Sequence, residues 1–189
     1  MPRVRLIETR RFADERGWFS ETYRMDRLAA LGIAESFVQD NQSLSRAAGT
    51  LRGIHFQVPP HAQAKLVRCL SGRILDVVVD LRRGSPTFAR WLAVELSAEN
   101  GRQLYIPVGF GHALLTLERD TQVSYKVSDY YAPECDRGIR WNDPALAIDW
   151  PFDGSALVLS PKDAALPLLE EFDSPFAYDG DPLEPLAAG

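Results

Sequence analysis

The chain has 189 residues, a formal net charge of −5, 46% hydrophobic and 25% charged residues, which predicts one globular domain over residues 1–189. The acidic balance, with Lys and Arg scattered rather than clustered, speaks against a protein that tracks a nucleic-acid backbone. Two cysteines exclude a dense disulfide framework, and no window nears ~18 uninterrupted apolar residues.

Val4 to Leu6 alternates with charged neighbours and predicts an opening strand. Asp14-Glu15-Arg16-Gly17 is a turn, and Trp18 to Tyr23 alternates again. Met25 to Leu31 predicts a short helix stopped by Gly32. Phe37 to Ser43 is polar and extended, and Ser45 to Gly49 is a loop. Strand signals then recur at Leu51–Phe56, Ala64–Ser71, Arg73–Leu81, Trp91–Leu96, Gln103–Pro107, Gly111–Leu117 and Thr121–Val127. Pro59-Pro60, Gly72, Gly84-Ser85-Pro86 and Glu99-Asn100-Gly101 punctuate them. Many short strands at this spacing indicate a sandwich or barrel. Helical periodicity returns only over Asp163–Glu171. The tail from about residue 173 is rich in Pro, Asp, Gly and Ala and is expected to be loosely ordered. Met1 to Phe12 lacks the apolar core of a signal peptide, so a cytoplasmic protein is expected. Cys69, inside an apolar run, is expected to be a buried free thiol.

Three histidines carry most of the chemical information. Alternation in Arg52-Gly53-Ile54-His55-Phe56-Gln57 puts Ile54 and Phe56 on one face and His55 and Gln57 on the other. That polar face suggests a lined cavity or an ordinary sheet surface. His61 follows two prolines and reads as a solvated loop residue; His112 follows a glycine-rich turn. Lys65 alternates with Leu66. Facing inward, it would stabilise an enolate oxygen; facing outward, it is a solvated edge residue. Tyr125 shares a face with Val123 and Val127, and Tyr130-Tyr131 offers packing or a stacking platform. Asp163 is either the N-cap of a following helix or the carboxylate that orients a histidine. Proton transfer on a bound small molecule is the leading chemistry.

Pro107-Val108-Gly109-Phe110-Gly111-His112 resembles the second motif of the cupin superfamily. Metal-binding cupins have a His-x-His pair in the first motif; His55-Phe56-Gln57 lacks the second His, so no metal is expected. From about Arg11 to Leu169 the chain resembles the dTDP-4-dehydrorhamnose 3,5-epimerases. The resemblance rests on Asp14-Glu15-Arg16-Gly17, Phe37-Val38-Gln39-Asp40-Asn41, Leu51 to Gln57, Ala62 to Arg68, Ser85-Pro86-Thr87-Phe88, Pro107 to His112, Tyr130-Tyr131, Trp141-Asn142-Asp143-Pro144 and Ser160-Pro161-Lys162-Asp163.

The resemblance implies an all-β, cupin-type double-stranded β-helix, or jelly-roll barrel, with a few short helices. It implies His55 as catalytic base, Asp163 as its dyad partner, Tyr125 as the acid and Lys65 beside the developing enolate. Arg16, Glu21, Gln39, Asn41, Arg52, His112 and Lys162 match nucleotide-sugar contacts, and Tyr131 the aromatic that stacks on thymine. It implies no metal, no organic cofactor, a dTDP-linked 4-keto-6-deoxy sugar as substrate, and a homodimer that exchanges N-terminal strands. Ala113 and Leu114 depart from the family's usual Gly-Phe, and Asp136 stands where a Glu is usual. Inversion of C3 or C5 alone, and a non-enzymatic sugar-binding cupin, are the competing readings.

Overall fold

The structure is a computed structural model that describes residues 3–178 and 180–186. In the described residues the strands run β1 (Arg5–Glu8), β2 (Phe12–Asp14), β3 (Gly17–Phe19), β4 (Gln39–Ser45), β5 (Leu51–Gln57) and β6 (Lys65–Ser71). They continue as β7 (Arg73–Asp80), β8 (Trp91–Ser97), β9 (Arg102–Ile106), β10 (Phe110–Thr116), β11 (Thr121–Val127) and β12 (Asp136–Gly138). Two antiparallel five-stranded sheets result, ordered β1-β9-β6-β11-β4 and β12-β5-β10-β7-β8, with β2-β3 as a separate hairpin. This is the all-β, few-helix architecture expected.

The two sheets pack face to face. Val67, Leu104, Ile106 and Val123 from the first meet Ile74, Val78, Leu96, Phe110 and Leu114 from the second in one buried cluster. Each sheet's other face is also covered. Ile54, Phe56, Val77, Val79 and Ala113 pack under the C-terminal segment, against Ile139, Leu146, Leu169 and Phe176. Leu66 and Tyr105 pack under Leu28 of α1 (Met25–Ala30) and Ile33. Burying a Val, Leu, Ile or Phe side chain stabilises by about 1.5–3 kcal/mol, so these three layers hold the sheets in register.

Gly53 sets the register that matters most. Its φ is +123°, and a Cβ there would lie 2.6 Å from the His112 carbonyl oxygen. Only glycine fits both constraints. The close approach places His112 directly opposite His55 across β10 and β5, and the register shifts between His112 and Leu114.

Two local expectations are corrected. The strand expected over Trp18–Tyr23 ends at Phe19, where its partner strand runs out at Phe12; Tyr23 instead packs edge-on against Phe37, with centroids 5.9 Å apart. The helix expected over Asp163–Glu171 is two separate turns, α2 (Pro161–Ala164) and a 3₁₀ turn at Leu169–Glu171. Pro167 lies between them and cannot supply the N–H a continuous helix needs. In the tail, Ser174 donates to the Leu81 carbonyl oxygen and Phe176 packs against Phe56.

Candidate active site

The pocket opens between the two sheets, and each sheet supplies a different part of it. From the first sheet come Lys65 on β6, Tyr125 on β11, and Gln39, Asn41 and Ser43 on β4. Tyr125 lies opposite Asn41 on one side and Val67 on the other, so all three belong to one cross-strand row. The facing sheet contributes His55 and Arg52 from β5 and His112 from β10. The short α2 closes one side with Lys162 and Asp163. The cavity has two lobes that share His55, Lys65, Tyr125 and Lys162. One runs toward Arg52 and His112, and the other toward Gln39, Asn41, Tyr131 and Asp136. A two-part ligand suits that shape.

His55 and Asp163, 108 residues apart, meet at 2.5 Å between Nε2 and Oδ1. The N-cap reading of Asp163 is thereby corrected: Ser160 caps α2, accepting from the Asp163 backbone N–H, and frees the Asp163 side chain for His55. Burial pushes the Asp163 carboxyl up, but the hydrogen bond and charge of His55 outweigh it and leave the group below the usual carboxylate range. Asp163 is therefore the acceptor, and His55 Nε2–H donates to it. The His55 Nδ1 is left as the free basic nitrogen. The His55 side chain is 30% exposed and that of Asp163 only 5%, so the imidazole is reachable from the pocket and the carboxylate that orients it is not.

Lys65 is buried, not a solvated edge residue, because β6 is the middle strand of its sheet. Its ammonium donates to the His55 carbonyl oxygen at 3.2 Å. Burial pulls its pKa down to about 8, with Asp76 and then Asp136 opposing the fall. Burial also raises the Tyr125 hydroxyl above its ordinary value, which keeps it protonated at neutral pH. The His112 ring is pulled down by burial, and its Nε2 pairs with Asp76 Oδ1 at 2.7 Å. Asp76 did not stand out in the sequence; its one signal was a lone carboxylate within Ile74-Leu75-Asp76-Val77-Val78-Val79.

The second lobe carries a polar network. Gln39 donates to Asn41 Oδ1 and accepts from the Tyr131 backbone N–H. Asp136 Oδ2 accepts from the Tyr131 hydroxyl at 3.1 Å and from Lys162 at 2.5 Å. Gln57 accepts from the Ala132 backbone N–H and so fixes the loop that presents Tyr131, whose side chain is left 57% exposed.

The structure does not bring every expected residue together. Arg16 sits on the exposed β2-β3 hairpin, paired with Asp14. Glu21 pairs with Arg27 and lines a groove with Asp40, Arg68 and Lys126, away from His55. His61, read as a solvated loop residue, has its side chain 43% exposed and pairs with Asp129 at 3.1 Å. Of the departures, Leu114 and Asp136 line the pocket, whereas Ala113 packs on the opposite face of its sheet. Among the described residues no three of His, Cys, Asp and Glu come together as a metal site needs, and no helix is long and apolar enough to cross a membrane.

Comparison with known proteins places this geometry. A family model described as dTDP-4-dehydrorhamnose 3,5-epimerase matches residues 1–171. The protein of that name from Sinorhizobium fredii is 50% identical over 176 residues, 93% of this chain and 89% of its own length. A solved dTDP-4-dehydrorhamnose 3,5-epimerase from Bacillus anthracis, with TDP and PPi bound, superposes with a TM-score of 0.85 at 51% identity, covering 88% of this chain and 94% of that one. A dTDP-6-deoxy-D-glucose-3,5-epimerase from Legionella pneumophila, in complex with dTDP-4-keto-L-rhamnose, gives 0.88 at 46% identity, covering 94% of both chains. The chain belongs to the dTDP-4-dehydrorhamnose 3,5-epimerase family.

Proposed function

We propose that this protein inverts C3 and C5 of dTDP-4-dehydro-6-deoxy-D-glucose, giving dTDP-4-dehydro-L-rhamnose, without metal or organic cofactor. The observation that carries this reading is the His55–Asp163 pair in a pocket that also presents Lys65 and Tyr125. The C4 ketone acidifies the protons on C3 and C5. His55 Nδ1 takes one of them, and the C–H electron pair becomes the C=C of an enolate with its negative charge on the C4 oxygen. Lys65 stabilises that oxygen; losing one such stabiliser costs about 3–4 kcal/mol. Tyr125 stands on the sheet facing His55 and delivers its hydroxyl proton to the opposite face of the same carbon. The imidazolium and phenolate then regain their starting states by exchange with solvent. No net oxidation occurs, and the same cycle at the second carbon completes the product. Incubation with the 4-keto sugar nucleotide in D₂O tests this. Deuterium at C3 and C5 of an L-configured product is expected, and binding without exchange at either carbon would sink the proposal.

The second lobe suits the dTDP portion, with Lys162 for the diphosphate and the exposed Tyr131 ring for the base. Stacking of a base on an aromatic ring contributes ~1–3 kcal/mol. Tyr131→Ala should therefore weaken dTDP binding by about tenfold or more, while exchange at saturating sugar nucleotide changes little. Calorimetric titration checks it, and an unchanged Kd removes the stacking role.

We also propose a homodimer in which the N-terminal strands are exchanged. Its support is that Arg16 lies outside its own subunit's pocket, on a hairpin that exposes Phe12, Trp18 and Phe19. Such an apolar hairpin asks for a cover. Light scattering should give twice the 21.1 kDa chain mass; a monomer at working concentrations rules the exchange out.

A further inference from the structure

We propose that Asp76 is a positioning residue for this reaction: its carboxylate holds the His112 ring with one oxygen and serves as the buried counter-charge of Lys65 with the other. The inference rests on the epimerase reading above. Asp76 lies on the inward row of β7 between Ile74 and Val78, both fully buried in the core between the sheets, and is itself fully buried. A carboxylate in such a place is costly unless its oxygens are satisfied. Oδ1 accepts from His112 Nε2–H at 2.7 Å, but Oδ2 is buried with no hydrogen-bond partner.

The cation that answers this oxygen is Lys65. Three carboxylates stand around it: Asp76 on β7, Asp136 on β12 and Asp163 on α2. Asp163 is engaged by His55, and Asp136 by Lys162 and Tyr131. Of the three, Asp76 alone has a buried oxygen without a hydrogen-bond partner, and it opposes the loss of the Lys65 proton more than Asp136 does. The other groups facing this space are His55 and Arg52 on β5, His112 on β10, Tyr125 on β11 and Lys162. None of them is an anion at neutral pH, so none can replace the Asp76 charge. Two consequences follow for the reaction. Lys65 stays an ammonium up to about pH 8 despite its burial, which is the form an enolate needs. His112, kept neutral by burial, has its proton fixed on Nε2 and so presents Nδ1 as an acceptor for a sugar hydroxyl.

Asp76→Asn in the full chain is the test. The amide oxygen can still accept from His112 Nε2–H, and a turned amide would change the His112 tautomer alike at every pH, so only loss of the charge moves the alkaline limb. In the parent protein the exchange rate should fall on an alkaline limb near pH 8, where Lys65 deprotonates; Tyr125, raised by burial, titrates later. In the variant that limb should move to lower pH by about one unit, a roughly fivefold loss at about pH 8 that approaches tenfold at higher pH and vanishes toward pH 6. The ¹³Cε titration of Lys65 should move with it. A loss equal at every pH, or an unmoved Lys65 titration, would overturn the inference and leave Asp76 a merely structural residue. An inactive parent would instead defeat the epimerase reading, and the Lys65 titrations would still judge Asp76. If the Asn variant does not fold, the parent's own Asp76 ¹³Cγ resonance decides. A carboxylate position at pH 7 supports the counter-charge, and a carboxylic-acid position overturns it.

Discussion

His55→Ala should abolish solvent exchange at both C3 and C5, with a loss of about 10²–10⁴-fold in turnover. The same nitrogen is expected to serve both carbons, because of the two pocket histidines His55 is the one whose carboxylate-oriented ring is still reachable. His112, paired with Asp76 in the same way, is the weaker base, since burial pulls its ring down and leaves it less reachable. Asp163→Asn should act on the same step through the ring it holds. The amide's NH₂ can turn toward Nε2 and stabilise the wrong tautomer, leaving Nδ1 protonated and unable to accept. Because the two residues work as one unit, the double variant should be little worse than His55→Ala alone. The measurement is deuterium incorporation by NMR, beside a dTDP affinity that stays near the parent's. Exchange of both positions by His55→Ala at the parent rate would show that another group is the base.

Part of this site was legible in the chain and part was not, for identifiable reasons. The strand at Thr121–Val127 is found with the bounds its alternation predicts, and the same alternation separates His55 from Ile54 and Phe56. Period-two reasoning works there because one face of each strand carries polar groups. It fails on β7, where both faces are covered and both read as apolar, so nothing local tells Asp76 from a solvent-facing carboxylate. Contacts between distant elements were beyond local pattern altogether. Asp163 meets His55 only because Ser160 turns α2 and the C-terminal segment packs on the outer face of its sheet. The residues alone favour a capping role for Asp163, and the family resemblance alone favours the orienting one. Arg16 and Glu21 carry the opposite lesson. The resemblance assigns them to the substrate, yet within one subunit they stand clear of His55, and only the proposed exchange of strands with a second chain would bring them to a pocket.

Tyr125→Phe should separate proton removal from inversion. The substitution keeps the ring, which packs against the core cluster between the sheets, and deletes only the hydroxyl. His55 remains able to remove a proton and, through the solvent-exchanged imidazolium, to return a deuteron to the face it came from. Deuterium should therefore still enter the unreacted sugar, whereas conversion to the L-configured product should fall by about 10²–10⁴-fold for want of an acid on the other face. The electrostatics of Tyr125 fit this division. Burial raises its hydroxyl above the ordinary phenol value, so the proton is present when the enolate forms. The positive charge of Arg52 works against that rise and lowers the cost of the phenolate left after donation. Arg52→Ala should then slow inversion more than it slows exchange, a milder form of the same split. Following the substrate and product signals together in D₂O reads both rates in one experiment. Inversion by Tyr125→Phe at the parent rate would remove Tyr125 as the acid. If exchange and inversion fell equally, Tyr125 would belong to substrate placement or to proton removal, and the donor would have to be sought elsewhere on the sheet that faces His55.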